Sequence, residues 1–394
     1  MSIEAAVCET RITEIERPQA TRFAPETAAS HDLPNLDMLR AVAVGLVFAE
    51  HLAESMKIRG LGLLGHFGVL MFFVHTTLVL TLSMGRLGFA GGKLYLAFAV
   101  RRLFRIYPLS ILAVLVVVAF QIPPTSWLGG YIWAGWPTLL SNVFLIQNIT
   151  HSESLNSVLW SLPFEVQMCA ALPAIYLLLR RFPSLWTASL TWMTGVVVAA
   201  LEYATRSSSC DLEFLLARYL PCFLAGIVAW RLVTTRRGRL PGALWAFAIA
   251  ILVVSYRLVD LIRVYGPASF GALHGTFRND HGIWWPSYMD LINDWLFCGI
   301  IGFALPLFAE ITNRWLNAIT NRIARYSYGV YICHIPVLWL CFVKLHVGPA
   351  LMSAIISLLL TSLVSIALYH WLEDPAIRYG KWLAAQLVER TVTA

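Results

Sequence analysis

The chain has 394 residues, 58% of them apolar and 13% charged, with a formal net charge of +7. A typical soluble chain is about 25% charged, so this composition excludes a water-soluble globule, and repeated runs of about twenty residues with one charge or none have the length to cross a bilayer. The excess Lys and Arg sits in short clusters between apolar runs, where orientation signals belong, which argues against nucleic-acid binding.

Taken in chain order, residues 1 to about 33 are rich in Glu, Thr, Arg, Ala and Pro without an apolar period and read as a flexible tail. The first apolar run begins near Leu36, so the first span itself is expected to act as a retained insertion signal in place of a cleaved signal peptide. An all-α polytopic membrane protein follows, with a membrane domain over 34–380 and a short tail over 381–394. Ten spans are expected, at about 36–56, 64–84, 100–121, 159–179, 185–204, 212–232, 242–263, 290–311, 324–344 and 349–370. The stretch 131–150 is apolar and aromatic but holds Pro137, and reads as an interfacial or re-entrant segment.

Basic clusters at Arg86 to Arg105, Arg180 and Arg181, Arg231 to Arg239, Arg314 to Arg325, and Arg378 to Arg390 each follow an even-numbered span. Cytoplasmic loops hold the excess of Lys and Arg, so both termini are expected on the cytoplasmic side. The segments 121–158 and 264–289 then lie outside, rich in Trp, Tyr and Gly, as a lid or an acceptor-binding surface. Trp127, Trp133 and Trp136 suit either interfacial anchoring or stacking on sugar rings.

An ionisable side chain in mid-membrane costs at least about 2.5–3.5 kcal/mol, which makes each one a functional candidate. The first span carries Arg40 near its cytoplasmic end and His51 eleven residues on, about 16 Å along the same face. Glu165, in LWSLPFEVQ, falls at a depth similar to that of His51. A His beside a carboxylate serves proton transfer, or equally holds two spans together as a polar contact. Arg102 and Arg105 share a face at the expected cytoplasmic entrance of the third span, where they either bind phosphates bidentately or act as a plain positive anchor. His334 and Tyr331, in YSYGVYICHIP, are candidates for substrate binding, and His75 in mid-span and Trp160 beside Glu165 are further candidates. Other patterns fail on context. Gly60, Gly62 and Gly65 spell GxGxxG, but in a turn between membrane helices with no strand before it, and GxSxG, HExxH and Walker A motifs are absent. The seven cysteines are scattered, with no CxxC pair or His spacing suited to zinc, so no metal site is expected.

Taken together, Arg40 to His51 with ten residues between, FGVLMFFV, RRLFRIYP, LWSLPFEVQ with Pro173 beyond it, RYSYGVYICHIP and HWLEDPAIR resemble the membrane acyltransferase type 3 family, whose bacterial members O-acylate cell-surface and secreted glycans. The resemblance implies that His51 is the catalytic histidine, acting as general base or as a transient acyl carrier, with Arg40 its motif partner and Glu165 a site carboxylate. It implies that Arg102 and Arg105 serve the donor, acetyl-CoA or another acyl-CoA, as co-substrate without a permanently bound cofactor. The acceptor would be a hydroxyl of a glycan or lipid-linked sugar at a bacterial inner membrane. Two departures stand out: His75-Thr76-Thr77 replaces the family's Leu-Ser-Gly type segment, and Val166-Gln167-Met168 follows Glu165 where members often have a second Glu and then Phe-Tyr. The rival class is a transporter that moves an acylated or small polar metabolite through the same buried polar groups without chemistry.

Overall fold

The computed structural model describes residues 33–58, 61–124, 131, 133–206, 216–235, 238–265 and 288–393. Twelve α-helices make up these residues: α1 Pro34–Ser55, α2 Leu64–Leu87, α3 Gly91–Ala119, α4 Gly135–Val143, α5 Leu162–Arg181, α6 Leu185–Arg206, α7 Leu216–Thr235, α8 Ala243–Tyr265, α9 Tyr288–Ala304, α10 Arg314–Trp339, α11 Ala350–Leu368 and α12 Asp374–Thr393. The tail over 1–32, Trp127 and most of the 264–289 segment lie outside the described residues.

A helix stands at each of the ten expected positions, and seven among the described residues are long and apolar enough to cross a membrane. Two others, α8 and α9, present shorter apolar stretches over Ala243–Val259 and Leu291–Leu307. The first, α1, carries Asp37, Arg40, Glu50 and Glu54 within its 22 residues, a charge load unlike that of a lipid-facing span. Its place is inside the bundle, between α2 and α10. Over 131–150 the chain forms only α4, nine residues and about 14 Å long, too short to cross. Trp186, Trp315 and Trp371 stand 70–86% exposed at helix ends close to Arg181, Arg314 and Arg378, the position of an interfacial aromatic belt.

Local chemistry sets the helix ends. Pro34 fills the first turn of α1, where its missing N–H is no loss, and Asn313 caps α10 by accepting from the N–H groups of Trp315 (3.0 Å) and Leu316 (3.1 Å). Gly88 ends α2 in the left-handed region at φ 68°, which costs a glycine least. Inside the bundle, small residues bring backbones together. A Cβ on Gly68 of α2 would lie 2.5 Å from the Ala43 carbonyl oxygen of α1, and one on Gly226 of α7 would lie 2.4 Å from that of Val74 in α2.

Two differences from expectation bear on the site. The third helix begins at Gly91, not near residue 100, so Arg102 and Arg105 lie about 16 Å and 21 Å from its first residue. Residues 381–393, expected as a tail, continue α12, whose Ala384 and Val388 pack on Ala97 and Val100 in the early turns of α3. A 29-residue helix is about 43 Å long, more than the roughly 30 Å of a bilayer core, and α12 gives its surplus turns an apolar partner.

Candidate active site

The first and tenth helices run side by side in the same direction, joined by three polar rungs. At the first, Asn321 Nδ2 donates to Asp37 Oδ2 (2.8 Å). Arg40 Nε then donates to Ser327 Oγ (2.6 Å), whose own hydroxyl donates to the Ala324 carbonyl (2.8 Å). Farther along, His334 Nε2 stands 3.3 Å from His51 Nδ1, with ring centroids 5.1 Å apart.

A third wall comes from the short 3₁₀ turn Ser157–Ser161 that leads into α5. Pro336 in α10 has no N–H, which frees the carbonyl of Ile332 four residues back. Asn156 Nδ2 takes up that carbonyl (3.0 Å) and pins the turn to α10. The neighbouring Tyr331 donates its only hydroxyl proton to the Val158 carbonyl (2.6 Å), so Ser161 must be the donor in the 2.8 Å contact between the two hydroxyls. Tyr331 is thereby oriented, and Ser161 and Glu165 are carried to the same wall.

These elements enclose a cavity of about 100 Å³ lined by Arg40, His75, Arg102, Arg105, Ser161, Glu165, Ser327, Tyr328 and Tyr331, with Phe72, Phe73 and Val79 on its apolar side. Six of the nine residues singled out from the sequence therefore converge here. The volume is well below the roughly 300–1,000 Å³ of a small-molecule pocket, so it has room for a small group or the end of a longer molecule, not for a whole nucleotide. Its charges are partly balanced. Arg102 is ion-paired with Glu165, and Arg105 with Glu373, while Arg105 also lies 5.7 Å from the ring centroid of Tyr328. Three arginines against two glutamates leave one positive charge in excess.

The remaining candidates fall elsewhere. His51 and His334 lie beyond the Tyr331 wall, whose ring centroid is 6.3 Å from that of His334. Glu165, expected to serve His51, is ion-paired with Arg102 instead. Trp160 stacks on His66 (centroids 6.0 Å, planes 12° apart). That histidine belongs to a cluster the sequence did not reveal: His66 Nε2 is 3.0 Å from Asp294 Oδ2, and Tyr256 donates to Asp294 Oδ1 (2.8 Å). Glu373 was missed as well. It stands inside HWLEDPAIR, but beyond the end of the last apolar run, so only its pairing with Arg105 reveals that it is 1% exposed. Among the described residues, no group of His, Cys, Asp and Glu could hold a metal ion.

A family model described as an acyltransferase domain matches residues 33–370. Comparison with curated proteins and with solved structures gives no match. The family match covers all the site residues except Glu373 and favours chemistry over transport without it. The chain belongs to the membrane acyltransferase type 3 family and is an acyltransferase.

Proposed function

We propose that this acyltransferase moves an acyl group, acetyl in the simplest case, from cytoplasmic acyl-CoA to a hydroxyl of a glycan or lipid-linked sugar on the other side of a bacterial inner membrane. Ten spans, with both termini cytoplasmic, set the direction. The observation that carries this reading is the grouping of polar side chains: Arg40, Arg102 and Arg105 line one cavity, Tyr331 is part of its wall, and His334 and His51 follow beyond Tyr331. Arginine forks suit phosphate, the narrow cavity suits a thin thioester arm, and an imidazole suits proton transfer at the far end.

In this mechanism His51 takes the proton of the acceptor hydroxyl as its oxygen attacks the thioester carbonyl. The carbon–sulfur bond then breaks, and the imidazolium returns the proton to the departing thiolate, giving an ester and free coenzyme A. The part-buried arginines hold the donor and complement negative charge that develops on the carbonyl oxygen. Purified protein in nanodiscs, given acetyl-CoA, tests the reading through release of free coenzyme A. Wild type should turn over, slowly where water stands in for the acceptor, and His51→Ala should lose about 10²–10⁴-fold while remaining folded. Near-normal release by that variant would remove His51 from the mechanism.

A further inference from the structure

We infer that His334 is the positioning partner of His51, in the place that a carboxylate holds in many histidine bases; this rests on the assignment of His51 as the base. Hydrogen-bond chemistry at the two rings carries the argument. His51 Nδ1 lies 2.9 Å from the Val47 carbonyl and His334 Nδ1 lies 3.0 Å from the Val330 carbonyl, each four residues back in its own helix. A carbonyl oxygen only accepts, so each neutral ring carries its proton on Nδ1. The lone pair of His334 is then on Nε2, which faces His51 Nδ1 at 3.3 Å. The Nδ1–H of His51 is thus shared between Val47 and His334, and its own lone pair is on Nε2.

That arrangement fixes the tautomer a general base needs and supports its charged form. When Nε2 of His51 accepts the hydroxyl proton, the ring becomes imidazolium, its Nδ1–H bonds strengthen toward the His334 lone pair, and no proton leaves the pair. When Nε2 passes its proton to the thiolate, both rings return to their starting state. His334 cannot exchange roles with His51, because it is fully buried and its lone pair is directed at its partner. Two carboxylates near the path serve other groups. Glu50 accepts from the N–H groups of Leu63 (3.1 Å) and Gly65 at the start of α2, and Glu165 pairs with Arg102. A neutral partner also suits the setting, since a buried carboxylate beside a neutral imidazole would be an uncompensated charge between turnovers.

The test compares His334→Leu, His334→Gln and His51→Ala in full-length protein in nanodiscs, with acetyl-CoA as donor and coenzyme A release as readout. Leucine removes the acceptor, whereas glutamine places a carbonyl oxygen close to the position of Nε2 and cannot become charged. His334→Leu should lower kcat about 10–100-fold, as loss of a partner that orients a histidine does elsewhere, with KM for acetyl-CoA within about twofold. His334→Gln should recover most of that loss. Wild-type kcat in His334→Leu, equal losses in both variants, or a loss carried by KM would each overturn the inference. If His334→Leu fails to insert, the glutamine variant decides alone: kcat within about threefold of wild type supports the pairing, and inactivity equal to that of His51→Ala overturns it. Turnover by His51→Ala sinks the base assignment itself, whereas an inactive His51→Ala beside a normal His334→Leu sinks only the pairing.

Discussion

Replacing Glu373 with Gln separates two effects of opposite sign. Glu373 is 1% exposed, ion-pairs Arg105, and keeps its Oε2 without a partner among the described residues. Removing one member of a buried pair costs about 3–5 kcal/mol. Arg105 is 22% exposed and so keeps part of its solvation, and glutamine retains one hydrogen bond, which brings the expected cost to about 1–3 kcal/mol. Donor binding should move the other way. The substitution raises the excess positive charge at the cavity from one to two. One added charge about 8 Å from a phosphate, at an effective dielectric of about 20, contributes about 2 kcal/mol, or roughly thirtyfold; salt brings this toward tenfold. Calorimetric titration of coenzyme A into detergent-solubilised protein at low and high salt, alongside a thermal scan, reads both effects. The expected result is a lower melting temperature with a Kd about thirtyfold tighter at low salt, and a gain nearer tenfold at high salt. Unchanged or weaker binding by a folded, monodisperse variant would refute the idea that Arg105 faces the donor phosphates.

Two packing predictions concern the frame that holds the site. Gly226→Ala in α7 places a Cβ 2.4 Å from the Val74 carbonyl oxygen and 2.9 Å from the Leu78 nitrogen, backbone atoms of α2 that cannot step aside; it should cost about 1–3 kcal/mol, and an unchanged melting temperature would show that these helices are not packed as described. Asn35→Ala should cost about 2–4 kcal/mol, because Nδ2 donates to the Ala309 carbonyl (3.0 Å), Oδ1 accepts from Ile311 N–H (3.2 Å), and both partners are left without the bond. Turnover per folded molecule should stay normal, and a selective loss of turnover without loss of stability would refute a purely structural role.

Most of the helices were legible in the sequence because a bilayer demands long apolar runs. What the apolar count could not see was contact between distant helices. α12 and the early turns of α3 pack on each other through Ala97, Val100, Ala384 and Val388, a pairing between segments nearly 300 residues apart that no local pattern encodes. The pairing of Arg102 with Glu165 likewise joins two helices 63 residues apart and has no local signal. Spacing along a single helix was more secure. The interval from Arg40 to His51 does place both on the face that meets α10, since each bonds to it. His334 was visible as a polar residue in mid-span, but its partner was not, because the meeting of α1 with α10 joins residues 283 apart.

The two parallel helices also explain why the residue eleven positions before His51 is an arginine. On α1 the interval from Arg40 to His51 rises about 16 Å, whereas on α10 the interval from Ser327 to His334 rises about 10 Å. With the two histidines level, Ser327 therefore lies about 6 Å nearer to them than the backbone of Arg40 does. Only a long side chain extended along the helix axis closes that gap, and the 2.6 Å bond from Nε shows that this one does. Its guanidinium is drawn off the basic end of the bundle and into the cavity, past the level of its own backbone. The bond to Ser327 uses Nε, so it takes neither of the two terminal nitrogens. A lysine of similar reach would bring a single nitrogen, whose other donors would stay at the atom bound to the serine. The spacing thus sets a positive charge in the cavity that Arg102 and Arg105 also line, on the same helix face that carries His51 to His334.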